Sequence, residues 1–164
     1  MKPKVLLDTT YILPLFGIAI DLPGFEAKFP KLLKKASISV NSLSILESKW
    51  KALKISEYAP EVSQSFSEGL LSLTAAGEIE VIQFHLPRID LVATSLYATH
   101  KDYFDCSIAS TAILFTDFLL TEDEALISLV NRLTYDPEVA KARNGLKTKA
   151  QAAKFDRLAA LLKI

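Results

Sequence analysis

Four short apolar runs recur along the chain, and each is followed by a longer segment with the apolar spacing of a helix. The runs are Lys4 to Leu7, Ser37 to Val40, Ile79 to Phe84 and Phe118 to Leu120. Strands of a parallel sheet are buried on both faces, so they read as continuous apolar runs. The sequence therefore predicts the α/β class, as a three-layer α/β/α sandwich with a central, mainly parallel sheet.

Helical spacing and terminus signals fill the intervals between these runs. The first predicted helix ends near residue 35. The next three cover 42 to beyond 53, 60 to 77 and 87 to 100. A fifth starts at 102, and the last two cover 123 to 133 and 149 to 162. The helix after the second run carries Leu43, Leu46, Trp50 and Leu53 on its apolar side. We expect this side, with Trp50, to pack in the core.

Length and composition fit one globular domain with or without an appendage. The chain has 164 residues, of which 50% are hydrophobic and 23% are charged. Cys106 is the single cysteine, which excludes an internal disulfide and fits a reducing compartment. The N-terminus lacks a signal-peptide pattern, and no apolar run reaches the roughly 18 residues that span a bilayer. We therefore expect a soluble, cytoplasmic protein with no membrane partner.

Basic residues are concentrated at the C-terminus, although the net charge is zero. The last 24 residues contain Lys141, Arg143, Lys147, Lys149, Lys154, Arg157 and Lys163 against one acid, Asp156. We predict a main domain over 1–135 and a basic, helical extension over 136–164 that packs on it, with the boundary near Asp136 and Pro137. This extension has two interpretations, a solvated helix face or a surface that contacts phosphates or an acidic partner.

Four acids lie beside the predicted strand ends. Asp8 closes the first strand, Glu47 follows the second, and Asp123 follows the last apolar run. Asp105 lies within a helix of small and apolar residues. Each acid alone could be a first-turn helix residue, but carboxylates that converge at one sheet edge repel one another unless a cation neutralises them. Oxygen-only ligands select a hard divalent ion, Mg²⁺ or Mn²⁺.

The stretches "VLLDTT", "SILESKW", "DYFDCSIASTA" and "FLLTEDEAL" occur in this order, and together they resemble the motifs of the PIN domain family of metal-dependent nucleases. The matching positions are Asp8 with Thr9 and Thr10, Glu47, Asp105 before Ile108 and Ala109, and Thr121 with Asp123. The resemblance covers residues 4 to about 133, which is most of the chain.

The resemblance implies a PIN-like domain that hydrolyses phosphodiester bonds in RNA. Asp8, Asp105 and Asp123 would hold one or two Mg²⁺ or Mn²⁺ ions with Glu47 completing the cluster, and Thr10 and Thr121 would support the carboxylates. The protein would be an RNA-processing nuclease or the toxin of a toxin–antitoxin pair, and its partners would be RNA, an antitoxin protein and a second copy of the chain.

A second hypothesis is a PIN-like module that binds RNA or protein and has lost catalysis. The intact set of acids favours the nuclease, because a domain freed from catalysis should lose carboxylates that repel one another. We interpret Asp102 as a helix cap and Asp117 as a turn residue. Either histidine could approach the site, but we interpret His85 as a loop residue and His100 as a helix-end residue. We interpret Cys106 as a small buried hydrophobe.

Overall fold

The computed structural model describes residues 1–133 and 150–164. The strands are β1 (Lys4–Leu7), β2 (Ser37–Asn41), β3 (Ile79–Ile82), β4 (Phe118–Leu120) and β5 (Gln151–Ala153). The α-helices are α1 (Thr9–Ile12), α2 (Phe25–Lys35), α3 (Ser42–Ser56), α4 (Glu61–Ala76), α5 (Pro87–Tyr97), α6 (Tyr103–Phe115), α7 (Glu124–Leu133) and α8 (Phe155–Leu162). A 3-10 turn at Leu13–Phe16 follows α1. Within the described residues, none of these helices combines the length and the apolar character needed to cross a bilayer.

The strands form one sheet with the order β3-β2-β1-β4-β5, in which every described pairing is parallel. From the central β1 the chain moves outward through β2 to β3 and then crosses back to β4. The strand order therefore reverses between β1 and β4, and open parallel sheets bind their ligands at the carboxyl ends of the strands beside such a switch point. Asp8 and Thr121 are the residues that directly follow these two strands.

Side chains of the central strands alternate between two cores. Leu6 and Leu119 lie in a core that α5, α6 and α7 complete. Val5, Leu7 and Leu120 lie in a second core, to which α1, α2, α4 and α8 contribute. Since successive residues of a strand point to opposite faces, the two cores cover opposite faces of the sheet. The predicted α/β class and three-layer arrangement are confirmed.

The last strand differs from the prediction. Residues 151–153, predicted to be part of a helix from 149 to 162, pair in parallel with β4, and the helix begins only at Phe155. The segment Gln-Ala-Ala lacks the β-branched and aromatic residues typical of strands, so its conformation depends on the partner strand. The predicted domain boundary and the basic residues 141, 143, 147 and 149 lie outside the described residues.

The buried side of α3 also differs from the prediction. Leu43 is buried, but Leu46, Trp50 and Leu53 are exposed. The buried positions further along the helix are small, namely Ser44, Ser48 and Ala52. Apolar spacing marks the side that a helix most often buries, but here small residues let α3 pack in close contact with its neighbours, α6 among them.

Candidate active site

Asp8 is held in the gap between β1 and β4. Its carboxylate caps α1 by accepting a hydrogen bond from the Thr9 N–H at 2.6 Å, and it accepts a second from the Thr121 hydroxyl at 2.7 Å. Its own N–H donates to the Leu120 carbonyl at 3.0 Å. Only 7% of the residue is exposed. The switch point of the sheet therefore contains a buried carboxylate with a defined orientation.

Thr121 links Asp8 to Asp123. The Thr121 hydroxyl donates to Asp8 and also accepts from the Asp123 N–H at 3.1 Å. One carboxylate oxygen of Asp123 accepts from the N–H groups of Ala125 and Leu126 and so caps α7. Asp123 is exposed. The reason is the cap, which holds its carboxylate at the open end of the helix.

Glu47 reaches the site from α3. Its Oε2 accepts a hydrogen bond from the Thr9 hydroxyl at 2.5 Å, and its Oε1 forms an ion pair with Lys51 at 2.9 Å. Thr9 therefore joins two acids, because its N–H donates to Asp8 and its hydroxyl to Glu47. The sequence predicts that the adjacent Thr10 supports the carboxylates, and this stays a prediction.

Asp105 lies in the first turn of α6 and pairs with His100. The His100 Nε2 lies 2.9 Å from the Asp105 Oδ2, so of the two interpretations open for this histidine, the one in which it approaches the acids agrees with the structure. The available signal was its position, five residues before Asp105 across the helix start. Asp102 is confirmed as the cap of α6, since its carboxylate accepts from the N–H groups of Phe104 and Asp105.

The acids perturb one another electrostatically. Burial raises the pKa of Asp8 from 3.8 to about 6, the hydrogen bonds from Thr121 and Thr9 oppose this rise, and the charges of Glu47 and Asp105 add to it. Burial also raises the pKa of Asp105; His100 lowers it, and Asp102 and Asp123 raise it further. Glu47 and Asp105 act on Asp8, and Asp123 acts on Asp105, so the four predicted site acids form one electrostatic cluster.

These donors fit a hard divalent cation by their chemistry. They supply carboxylate oxygens, and a cation would offset both causes that raise the pKa of Asp8, burial first and the charges of Glu47 and Asp105 second. Within residues 1–133 and 150–164, however, no three His, Cys, Asp or Glu side chains are grouped tightly enough to hold an ion as they stand. Lys51 pairs with the Oε1 of Glu47 and His100 with the Oδ2 of Asp105, so each of these carboxylates has a second oxygen outside the pair.

A buried polar contact sets the spacing between α3 and α6, the helices that carry Glu47 and Asp105. The Asn41 amide nitrogen donates to the hydroxyls of Thr111, at 2.7 Å, and Ser107, at 3.2 Å, while its oxygen caps α3 by accepting from the Leu43 N–H. Asn41, Ser107 and Thr111 are all buried. The Ser44 hydroxyl on the same helix is also buried, and it has no partner among the described residues.

Replacing Asn41 with alanine is expected to lower the free energy of unfolding by about 3 kcal/mol, because it removes a helix cap and leaves buried polar groups unpaired. Urea denaturation followed by circular dichroism measures this change. The matched control is Asp102→Ala, which removes only an exposed cap and should cost about 1 kcal/mol. Equal losses in the two variants would show that the buried contacts of Asn41 contribute nothing beyond the cap.

Three further residues, Cys106, Asp117 and His85, make contacts that explain them without a catalytic role. Cys106 is buried, and burial raises the pKa of its thiol to about 11, so it is a poor nucleophile. Asp117 accepts a hydrogen bond from the Lys4 N–H at 2.8 Å, at the start of β1 and away from the carboxylates. His85 packs its ring edge-on against Phe84. These positions agree with the interpretation of Cys106 as a small buried hydrophobe, Asp117 as a turn residue and His85 as a loop residue.

Comparison with known proteins adds no identification. The sequence matches no known protein family. No curated protein matches it either. The resemblance to PIN domains therefore depends on the four sequence motifs.

Proposed function

We propose that this protein is a metal-dependent endoribonuclease of the PIN type, which hydrolyses phosphodiester bonds in RNA. The observation that carries the proposal is the environment of Asp8. This carboxylate is buried at the switch point of a parallel sheet; burial raises its pKa to about 6, and the charges of Glu47 and Asp105 add to that rise. A repulsive group of acids that only stabilised the fold would be a costly arrangement, whereas an ion-binding site requires one.

Asp8, Glu47, Asp105 and Asp123 would hold the Mg²⁺ or Mn²⁺. The bound ion would supply a nucleophilic water at neutral pH and offset the negative charge of the phosphoryl group. The described residues offer no alternative route through Cys106, whose thiol is buried and protonated at neutral pH. Hydrolysis by water is therefore the chemistry that this set of side chains supports best.

The remaining residues of the site orient the carboxylates. Thr121 and the Thr9 N–H hold the two oxygens of Asp8, and the Thr9 hydroxyl holds Glu47. His100 holds Asp105 through its Nε2. In this role the two threonines restrict the rotation of acidic side chains, which is how residues around a metal site tune its ligands.

The resemblance extends the proposal to partners and location. It suggests an antitoxin protein and a second copy of the chain as binding partners. It also suggests a cytoplasmic location, with which the single, buried Cys106 is compatible. These points depend on the proposed family alone.

The proposal predicts cleavage of single-stranded RNA that requires Mn²⁺ or Mg²⁺ and stops in excess EDTA. Asp105→Asn should slow the metal-dependent reaction about a hundredfold, because it removes one charged ligand of the ion. Asp102→Asn is the matched control: it makes the same change three residues earlier, at the N-cap of α6, and keeps a good helix cap, so its rate should equal that of the wild type. Product formation from end-labelled RNA measures the rates.

Two results would contradict the nuclease. The first is a wild-type protein that divalent ions do not stimulate. The second is an Asp105→Asn variant that cleaves as fast as Asp102→Asn. RNA binding without metal-dependent cleavage would instead favour the module that has lost catalysis.

A further inference from the structure

An exposed apolar ridge runs along α3 beside the proposed site. It consists of Leu46, Trp50 and Leu53, which lie on one side of the helix at spacings of four and three residues. Trp50, the only tryptophan of the chain, is 52% exposed. Exposed apolar side chains of this size mark a surface that binds another molecule, because binding removes their apolar area from water.

The ridge is continuous with the carboxylate cluster. Leu46 immediately precedes Glu47, and Trp50 follows Glu47 by one helical turn. The Trp50 ring packs against that of Phe104, with 5.7 Å between the centroids and a tilt of 48°. Phe104 in turn immediately precedes Asp105. The two rings therefore bridge the two helices that supply Glu47 and Asp105.

A line of lysines runs parallel to the ridge. Lys51 and Lys54 follow Glu47 at spacings of four and seven residues, so they continue its side of α3 away from the site. Lys54 is exposed and Lys51 partly so. The helix thus presents an apolar aromatic line and a positively charged line next to each other, and both begin at a proposed catalytic carboxylate.

We propose that Trp50, supported by Phe104, is a stacking platform for an unpaired base of single-stranded RNA, and that Lys51 and Lys54 contact the flanking phosphates. This inference depends on the proposed nuclease function, and it specifies the substrate as single-stranded. Proteins that bind single strands combine aromatic rings, on which bases stack, with a positively charged path for the backbone. In a duplex the faces of the bases are already covered by neighbouring bases, so the platform discriminates against it.

Other occupants of the ridge would be a helix of a partner protein or a second copy of this chain. Either could cover Leu46, Trp50 and Leu53. The lysine line and the contact with Phe104 next to Asp105 favour RNA, because a cleaved strand must pass this point with its phosphates near Glu47 and Asp105.

Trp50 allows a direct test, because its fluorescence reports on one position. Metal-free protein in EDTA is titrated with a single-stranded RNA of about ten nucleotides, with the matching duplex, and with an abasic strand of the same length. The single strand is expected to quench Trp50 and to bind about tenfold more tightly than the abasic strand, the order expected for stacking one base. Equal binding of the intact and abasic strands would overturn the platform.

Variants provide the second measurement, by anisotropy of labelled RNA. Trp50→Ala should weaken binding about tenfold, and Trp50→Tyr should restore most of it, because a smaller aromatic ring still stacks. Tyr58→Ala is the matched control, since Tyr58 lies just beyond α3, is 89% exposed and lies outside the ridge. Wild-type affinity in Trp50→Ala would overturn the proposal.

The outcomes separate this inference from the nuclease proposal. Metal-dependent cleavage together with unchanged RNA affinity in Trp50→Ala would overturn the platform and leave the nuclease standing. Quenching and a loss of affinity in Trp50→Ala, without metal-dependent cleavage, would support the platform and overturn the nuclease. If Trp50 emission and the sedimentation coefficient change together with protein concentration in the absence of RNA, a second copy covers the ridge and the platform is wrong.

Discussion

Replacing Asp8 with asparagine is expected to stabilise the metal-free protein by about 3 kcal/mol at neutral pH. Burial and neighbouring acids raise the pKa of Asp8 from 3.8 to about 6, and each pKa unit corresponds to about 1.4 kcal/mol. Well below pH 3.8 the carboxyl is protonated in both the folded and the unfolded chain. As the pH rises from there to about 6, the unfolded chain releases its proton first, so the stability of the folded state falls. Asparagine is neutral at every pH and avoids this loss.

Urea denaturation in EDTA at about pH 4 and about pH 7.5 tests the sign. The stability of Asp8→Asn should exceed that of the wild type at the higher pH, and the difference should shrink at the lower one. A variant that is less stable than the wild type at neutral pH would show that the hydrogen bonds from Thr121 and Thr9 outweigh the desolvation of the carboxylate.

The same substitution also tests the proposed function. If Asp8 is an ion ligand, Asp8→Asn should slow metal-dependent RNA cleavage about a thousandfold, roughly 4 kcal/mol of lost transition-state stabilisation. If the wild type binds Mn²⁺, its melting temperature should rise with the ion, and the substitution should remove that increase. A gain in stability combined with a loss of activity is typical of a residue kept for function. Unchanged cleavage would exclude Asp8 from the reaction.

Replacing Phe155 with alanine is expected to lower the free energy of unfolding by about 4 kcal/mol. Phe155 is buried at the start of α8, and its ring packs edge-on against Phe25 with 5.2 Å between the centroids. Its N–H also donates to the hydroxyl of Tyr11, which in turn donates to Glu122 in the segment between Thr121 and Asp123. The C-terminal residues therefore support the segment that carries Asp123, and if the acids hold an ion, the variant should also bind Mn²⁺ more weakly.

Leu161→Ala is the control for Phe155→Ala, because Leu161 lies on the same helix and is 52% exposed. It should cost less than about 1 kcal/mol. A chain that ends at residue 149 lacks both β5 and α8, and it should lose cooperative unfolding, since the removed contacts approach the whole stability of a domain of this size. A shortened chain that unfolds cooperatively, with the stability of the full chain, would show that the C-terminal segment is an independent appendage.

Much of the fold could be predicted from local patterns. The runs at Lys4 and Phe118 are strands because continuous apolar stretches are stable only when both faces of the sheet are covered. Asp102 could be recognised as a cap from its position before an apolar helix. The strand β5 could not be recognised, because its three residues have no intrinsic preference for a strand and adopt one only beside β4.

The candidate site could also be predicted only in part. The sequence by itself determined which acids stand at strand ends and helix starts, because backbone chemistry at those points follows from nearby residues. Only the tertiary structure decided what these acids contact: His100 beside Asp105, Thr9 between Asp8 and Glu47, and the open side of α3 with Trp50 in water. Such contacts join segments that are far apart in the chain or depend on the packing of neighbouring helices. Local propensity acts over a few residues and carries no information about them.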